Sequence, residues 1–211
     1  MKGVGNEYCG YLNRINFPTG AVDVATGQGL GNTTIKEVAM LRAMKEQLKV
    51  LAKDENGLFH ASLRRAVGKR ATLLLEEKLK RIVVLIPDLV TRIHDYWRMQ
   101  PEASSTKRLG AYMLTYVYLP KDFLPQTEDL NLYGYLDDAY MVAKIYTSVI
   151  EDISLAGDEI LEFDQKLYPE VKSLQKNIRL VIPKVCLKID EMVNDLVRGN
   201  QQSFFNMVEQ S

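Results

Sequence analysis

The chain has only two cysteines, Cys9 and Cys186, far apart and outside any CxxC or Cys/His spacing. This argues against a disulfide framework and fits a reducing compartment, with one long-range bridge as the remaining alternative. Histidine is equally scarce. His60 and His94 show no His-x-x-x-His or Glu-x-x-His pattern, so each reads as a surface or packing residue rather than a metal ligand. No GxSxG elbow frames a serine nucleophile. Nor is there a run of about 18 apolar residues, the length a bilayer-spanning helix needs. The apolar stretch 109–120 is too short and ends at a proline, which makes it a core or interfacial helix. The first ten residues lack the basic and apolar regions of a signal peptide, so a cytoplasmic location is expected. Strand-like alternation and internal repeats are also missing.

What is present is helical periodicity. Residues 1–31, punctuated by Gly20, Gly27, Gly29 and Gly31, read as an irregular arm. The run 27–34 has the glycines of a phosphate loop, but it lacks the lysine and a preceding strand. Residues 32–211 read as a single helical domain. Thr34-Ile-Lys-Glu37 matches a capping box, and apolar residues follow at helical spacing to Leu51. Asp54-Glu-Asn-Gly57 closes that helix. A second helical stretch runs from about Leu58 to Ile86, is broken or kinked at Pro87, and continues to Met99. Further helices are expected to end at Tyr118, to begin near Gly134, to cover 158–167, and to run from Glu170 to Arg198, with Pro183 kinking or splitting the last and Gly199 stopping it. The fold class is therefore all-α, an irregular bundle of about six to eight helices.

Charge is balanced overall but not along the chain. Residues 36–81 carry 12 basic and 6 acidic side chains, and residues 122–170 carry 2 basic and 12 acidic. Arg64, Arg65, Lys69 and Arg70 form the densest basic group, a candidate contact for nucleic acid or anionic lipid. The preferred reading is a solvated face, or pairing with the acidic half.

Seven of the eleven tyrosines fall within 112–146. At helical spacing such rings are expected to pack inward with their hydroxyls reaching the rim, and a partner or membrane interface is the alternative. The same segment holds Asp122, Asp137 and Asp138, with Glu128 and Asp129 between them. Helix starts stabilise carboxylates, which accounts for Asp122, Asp137 and Asp138 without chemistry. The alternative is that a loop braced by Pro120 and Pro125 brings Asp122 beside Asp137 and Asp138 to hold Mg²⁺ or Ca²⁺.

Leu119-Pro-Lys-Asp-Phe-Leu-Pro125 followed by Gly134-Tyr-Leu-Asp-Asp138 resembles the signature of the YkvA-like family, a bacterial helical domain of unknown function. Pro120, Asp122, Phe123, Leu124 and Pro125 match its first half, and Gly134, Tyr135, Leu136, Asp137 and Asp138 its second. The resemblance covers about residues 88–146 and places a family-like core at about 88–153. Gln126 stands where the family has an aspartate, and the spacer to Gly134 is about two residues longer. The resemblance implies a short helical domain often expected at membranes, with Pro120, Pro125, Gly134 and Tyr135 shaping its corner, and it implies no activity.

The function expected from all this is a non-enzymatic interaction or adaptor protein, with a protein partner or self-association and peripheral contact with the inner face of a membrane. No cofactor is expected. The alternatives are a divalent-metal-dependent hydrolase using Asp122, Asp137 and Asp138, and a nucleic-acid-binding accessory protein using the basic helix around 64–81.

Overall fold

The computed structural model describes residues 30–99, 109–110, 112–113, 116–117, 123–124, 131–202 and 204–205, with side chains from Ala39 onward except those of residues 98 and 99. The chain divides into two compact units, Met1–Ala39 and Met40–Ser211. The described residues form six α-helices, one 3-10 turn and no strand. The helices are α1 (Leu30–Ala52), α2 (Leu58–Val67), α3 (Lys69–Met99), α4 (Leu136–Ala156), α5 (Glu162–Val181) and α6 (Pro183–Val197), with the 3-10 turn at Leu132–Tyr135. The expected all-α bundle is thus the observed one.

Several boundaries differ from the sequence expectation, each for a local reason. α1 begins at Leu30, so Thr34 lies inside the helix rather than capping it, and residues 1–29 of the arm expected over 1–31 lie outside the described residues. Asp54 adopts a left-handed backbone (φ 50), and its carboxylate accepts from the amides of Phe59 (2.9 Å) and His60 (3.0 Å) at the start of α2. A single aspartate therefore ends the turn and satisfies two free amides of the next helix. The stretch expected to be continuous from Leu58 to Ile86 is divided at Gly68, whose φ of 80 an L side chain rarely adopts. Pro87 does not end α3. Its ring is buried within the helix, and Thr91 Oγ1 donates to its carbonyl at 2.8 Å.

The helix expected over 158–167 and the one expected from Glu170 are one helix, α5, which begins at Glu162 and carries Pro169 internally. Pro183 splits α5 from α6. Ile182, the residue before it, is pushed out of the helical region (φ −125, ψ 54), and the proline then occupies the first turn of α6, where its missing amide has no partner to lose.

α4 is the centre. Fourteen of its 21 residues are buried, far more than the single stripe of a surface helix. α3 supplies Leu79, Ile82, Val83, Ile86, Leu89 and Ile93 to the same core, and α3, α5 and α6 all pack on α4. Each such aliphatic side chain contributes about 1.5–3 kcal/mol on full burial. Phe204 closes the C-terminal end, buried and edge-on to Tyr112 with ring centroids 4.7 Å apart. Among the described residues no helix is long and apolar enough to cross a membrane.

Candidate functional site

The tyrosine-rich segment enters α4 through the 3-10 turn. Asn131 starts the turn, its Oδ1 accepting from the Tyr133 amide at 2.8 Å. Gly134 and the buried Tyr135 lie within it. Asp137 and Asp138 follow in the first turn of α4, both almost completely buried. Asp137 Oδ2 accepts from the Tyr116 hydroxyl and from the Leu124 amide, each at 3.0 Å. Asp137 thus ties Tyr116 and Leu124 to the helix start. Helix-start stabilisation is only part of the account, because these two donors come from outside α4.

Pro120, Asp122, Pro125, Gln126, Glu128 and Asp129 lie outside the described residues. Of the Asp122, Asp137 and Asp138 set, two members are therefore placed. Among the described residues no group of three or more His, Cys, Asp or Glu is arranged to hold a metal ion.

Two further carboxylates escaped the sequence reading. Asp164, in the first turn of α5, is fully buried. It accepts from the Tyr96 hydroxyl (2.9 Å), the Tyr146 hydroxyl (2.9 Å) and Arg92 Nε (3.2 Å), and so joins α3, α4 and α5. Arg92 adds a second nitrogen at 3.2 Å and lies 4.9 Å from the Phe163 ring centroid. Burial, then the bond to Asp164, pushes the Tyr96 phenol up to about 12, and the same two causes raise Tyr146.

Asp190 on α6 accepts from the Tyr140 hydroxyl at 3.0 Å and pairs with Arg179 of α5, which also donates to that hydroxyl. Burial, with Asp190 beside it, raises the Tyr140 phenol. Cys186 lies fully buried nearby, its thiol pushed up to about 12 by burial against the opposing effect of Arg179.

The tyrosine expectation therefore needs a correction. The rings of Tyr116, Tyr140 and Tyr146 do pack inward, but the Tyr116 and Tyr146 hydroxyls end on the buried Asp137 and Asp164, and that of Tyr140 alone reaches the rim, at the half-buried Asp190 beside the exposed Arg179. Sequence offered one usable signal, an acid in the first turn of α5. Nothing local pointed it at Tyr96, 68 residues away.

Arg64, Arg65, Lys69 and Arg70 are all exposed at the α2–α3 junction. Pairing with the acidic half occurs elsewhere, as between Arg81 and Glu170 at 3.0 Å. His60 is half-buried and bonds Glu76 at 2.7 Å, and Lys80 reaches the same carboxylate at 2.8 Å. Burial opposes ionisation of Glu76, but the bonds from Lys80 and His60 outweigh it and hold that carboxyl below its usual range. His94 sits edge-on to Trp97, with ring centroids 5.3 Å apart.

Comparison of the chain with protein-family models, curated proteins and solved structures finds no match. The YkvA-like resemblance accordingly rests on the motif residues themselves.

Proposed function

We propose that the protein is a non-enzymatic helical interaction or adaptor protein, working by surface contact with a protein partner or a second copy and at the inner face of a membrane. The observation that carries this reading is the use made of the buried Asp137 and Asp164 and the half-buried Asp190. Asp137, Asp164 and Asp190 accept hydrogen bonds from tyrosine hydroxyls, a backbone amide and arginines on neighbouring segments. Such bonds hold helices together, and a cation at Asp137 Oδ2 would have to displace both Tyr116 and the Leu124 amide. Apolar groups, in contrast, lie on the outside. Leu155, Leu161 and Phe163 are exposed around the α4–α5 corner, with Leu155 at 86%.

The test is a pair of measurements on purified protein. Mg²⁺, Mn²⁺ and Ca²⁺ are expected to leave the melting temperature unchanged, and a generic phosphodiester substrate is expected to stay intact in their presence. Metal-dependent turnover that vanishes in Asp137→Asn, with the variant still folded by circular dichroism, overturns the proposal in favour of the hydrolase.

A further inference from the structure

The basic corner between α2 and α3 gathers four exposed cations within seven residues, whereas cations elsewhere that lack an ion pair among the described residues, such as Lys53, Lys78 and Lys184, are more widely spaced. Lys45, Lys80, Arg81, Arg92, Lys172 and Arg179 each reach a carboxylate. Arg64, Arg65, Lys69 and Arg70 are exposed and form no ion pair among the described residues. No aspartate or glutamate occurs from residue 56 to residue 75.

Helix physics explains half of this group. Arg64 and Arg65 sit in the last turn of α2, where the negative end of the helix dipole favours cations. Lys69 and Arg70 sit in the first turn of α3, which contains no acidic residue, and there the dipole disfavours them. Their position runs against the stability of their own helix.

The next turn of α3 carries a second irregularity. Leu73 and Leu74 are 69% and 66% exposed, although Leu75 beside them is buried in the core. Leu73 follows Lys69 by four residues and Leu74 follows Arg70 by four, so each leucine lies on the same helix face as a cation. The corner itself is well held. The Gly68 amide donates to Arg64 O (2.9 Å), and both the amide (3.0 Å) and the hydroxyl (2.9 Å) of Thr72 donate to Gly68 O.

We infer that the α2–α3 corner is a docking surface for an anionic lipid bilayer, with Leu73 and Leu74 entering the headgroup–acyl boundary and the four cations meeting lipid phosphates and carboxylates. The inference deepens the reading of the protein as one that works by surface contact, and names the membrane partner of this corner. Charge complementarity selects an anionic surface, and the leucine pair selects a bilayer over nucleic acid. Two adjacent aliphatic side chains gain from leaving water for acyl chains, and cations with long stems spread around them. Nucleic-acid phosphates give leucine nothing comparable, and single-strand binding relies on aromatic stacking, whereas residues 61–74 contain no aromatic. Glu77, one turn beyond Leu73, is exposed and acidic, which limits the contact to the corner rather than the length of α3.

The test is flotation of the full chain with vesicles of phosphatidylcholine alone or mixed with phosphatidylserine, over a salt series. Binding is expected only to the mixed vesicles and is expected to weaken with salt. Lys69→Gln with Arg70→Gln should lower the partition about 25-fold, from two cations each contributing about fivefold near an anionic surface. Leu73→Ser with Leu74→Ser should lower it about tenfold while leaving the salt dependence intact. Both pairs change exposed positions, and unchanged thermal melts will show that each variant is folded.

Equal binding to neutral vesicles, no binding to either, or full binding by the serine variant overturns the inference. A salt-dependent shift of DNA or RNA without flotation overturns it in favour of nucleic acid. Failed flotation would leave the non-enzymatic reading standing, and phosphodiester turnover would overturn that reading while leaving a positive flotation result in place.

Discussion

Replacing Asp164 with alanine should be among the most damaging single changes to this fold. Its carboxylate is fully buried and receives the Tyr96 and Tyr146 hydroxyls at 2.9 Å each, with two Arg92 nitrogens at 3.2 Å. Without it, two hydroxyls on buried tyrosines lose their acceptor, at about 1–3 kcal/mol each. Arg92 loses its buried counter-charge, and breaking one side of such a pair costs about 3–5 kcal/mol. These contributions overlap. Arg92 keeps some access to water, with 23% of its side chain exposed, and Asp95 stands 3.9 Å away. A net loss of about 4 kcal/mol is therefore expected, a large part of the 5–15 kcal/mol that holds a typical domain. Urea unfolding followed by far-UV circular dichroism measures it. The control is a fourfold variant, Asp164→Leu with Arg92→Leu, Tyr96→Phe and Tyr146→Phe, which removes the donors with the acceptor. Because apolar replacement of a whole buried polar group is often near neutral, it should recover most of the loss. A loss below about 1 kcal/mol in the single variant, or a fourfold variant no more stable than it, refutes the account of this network.

Cys186 should resist alkylation in the folded protein at pH 8 and react once the protein is unfolded in urea, because it is fully buried and its thiol is raised to about 12. Mass spectrometry in a Cys9→Ser background reads this directly, and rapid labelling of the native state contradicts it. Tyr96, raised to about 12 in the fold against an ordinary 10, contributes stability that is complete below pH 10 and is lost as pH rises through about 12. Urea midpoints across pH 9–12 should therefore fall, and the fall should be shallower in Tyr96→Phe. Gly157→Ala should cost about 1 kcal/mol, because φ is 79 there and an added methyl group meets no atom within 4 Å, so strain alone is at work. A neutral result in urea unfolding would mean that the turn relaxes.

The candidate site divides by the same physics that divides the fold. Asp137 and Asp138 were legible because the glycine-led turn before them and their place in a helix start are local features. That Asp137 receives Tyr116 and Leu124 was not legible, because both donors come from segments outside α4. Asp164 and Asp190 were not singled out, since an acid in a predicted helix looks the same whether it meets water or a tyrosine. The four corner cations were legible as a group, but their exposure beside Leu73 and Leu74 was not, because the sequence 73–75 is three leucines and only packing distinguishes the third.

Sequence alone determined that this protein is all-α, that its helices are amphipathic, and that Pro183 and Gly199 punctuate the C-terminal ones. These follow from hydrogen bonds between residues four apart and from backbone angles, both settled within a few residues of chain. Tertiary structure decided that Pro87 stays within a helix, that α4 is central, and that tyrosine hydroxyls end on buried aspartates. Those outcomes depend on which helix faces meet. That choice is made by burying the most apolar surface while leaving no buried polar group without a partner, a condition on the whole chain at once.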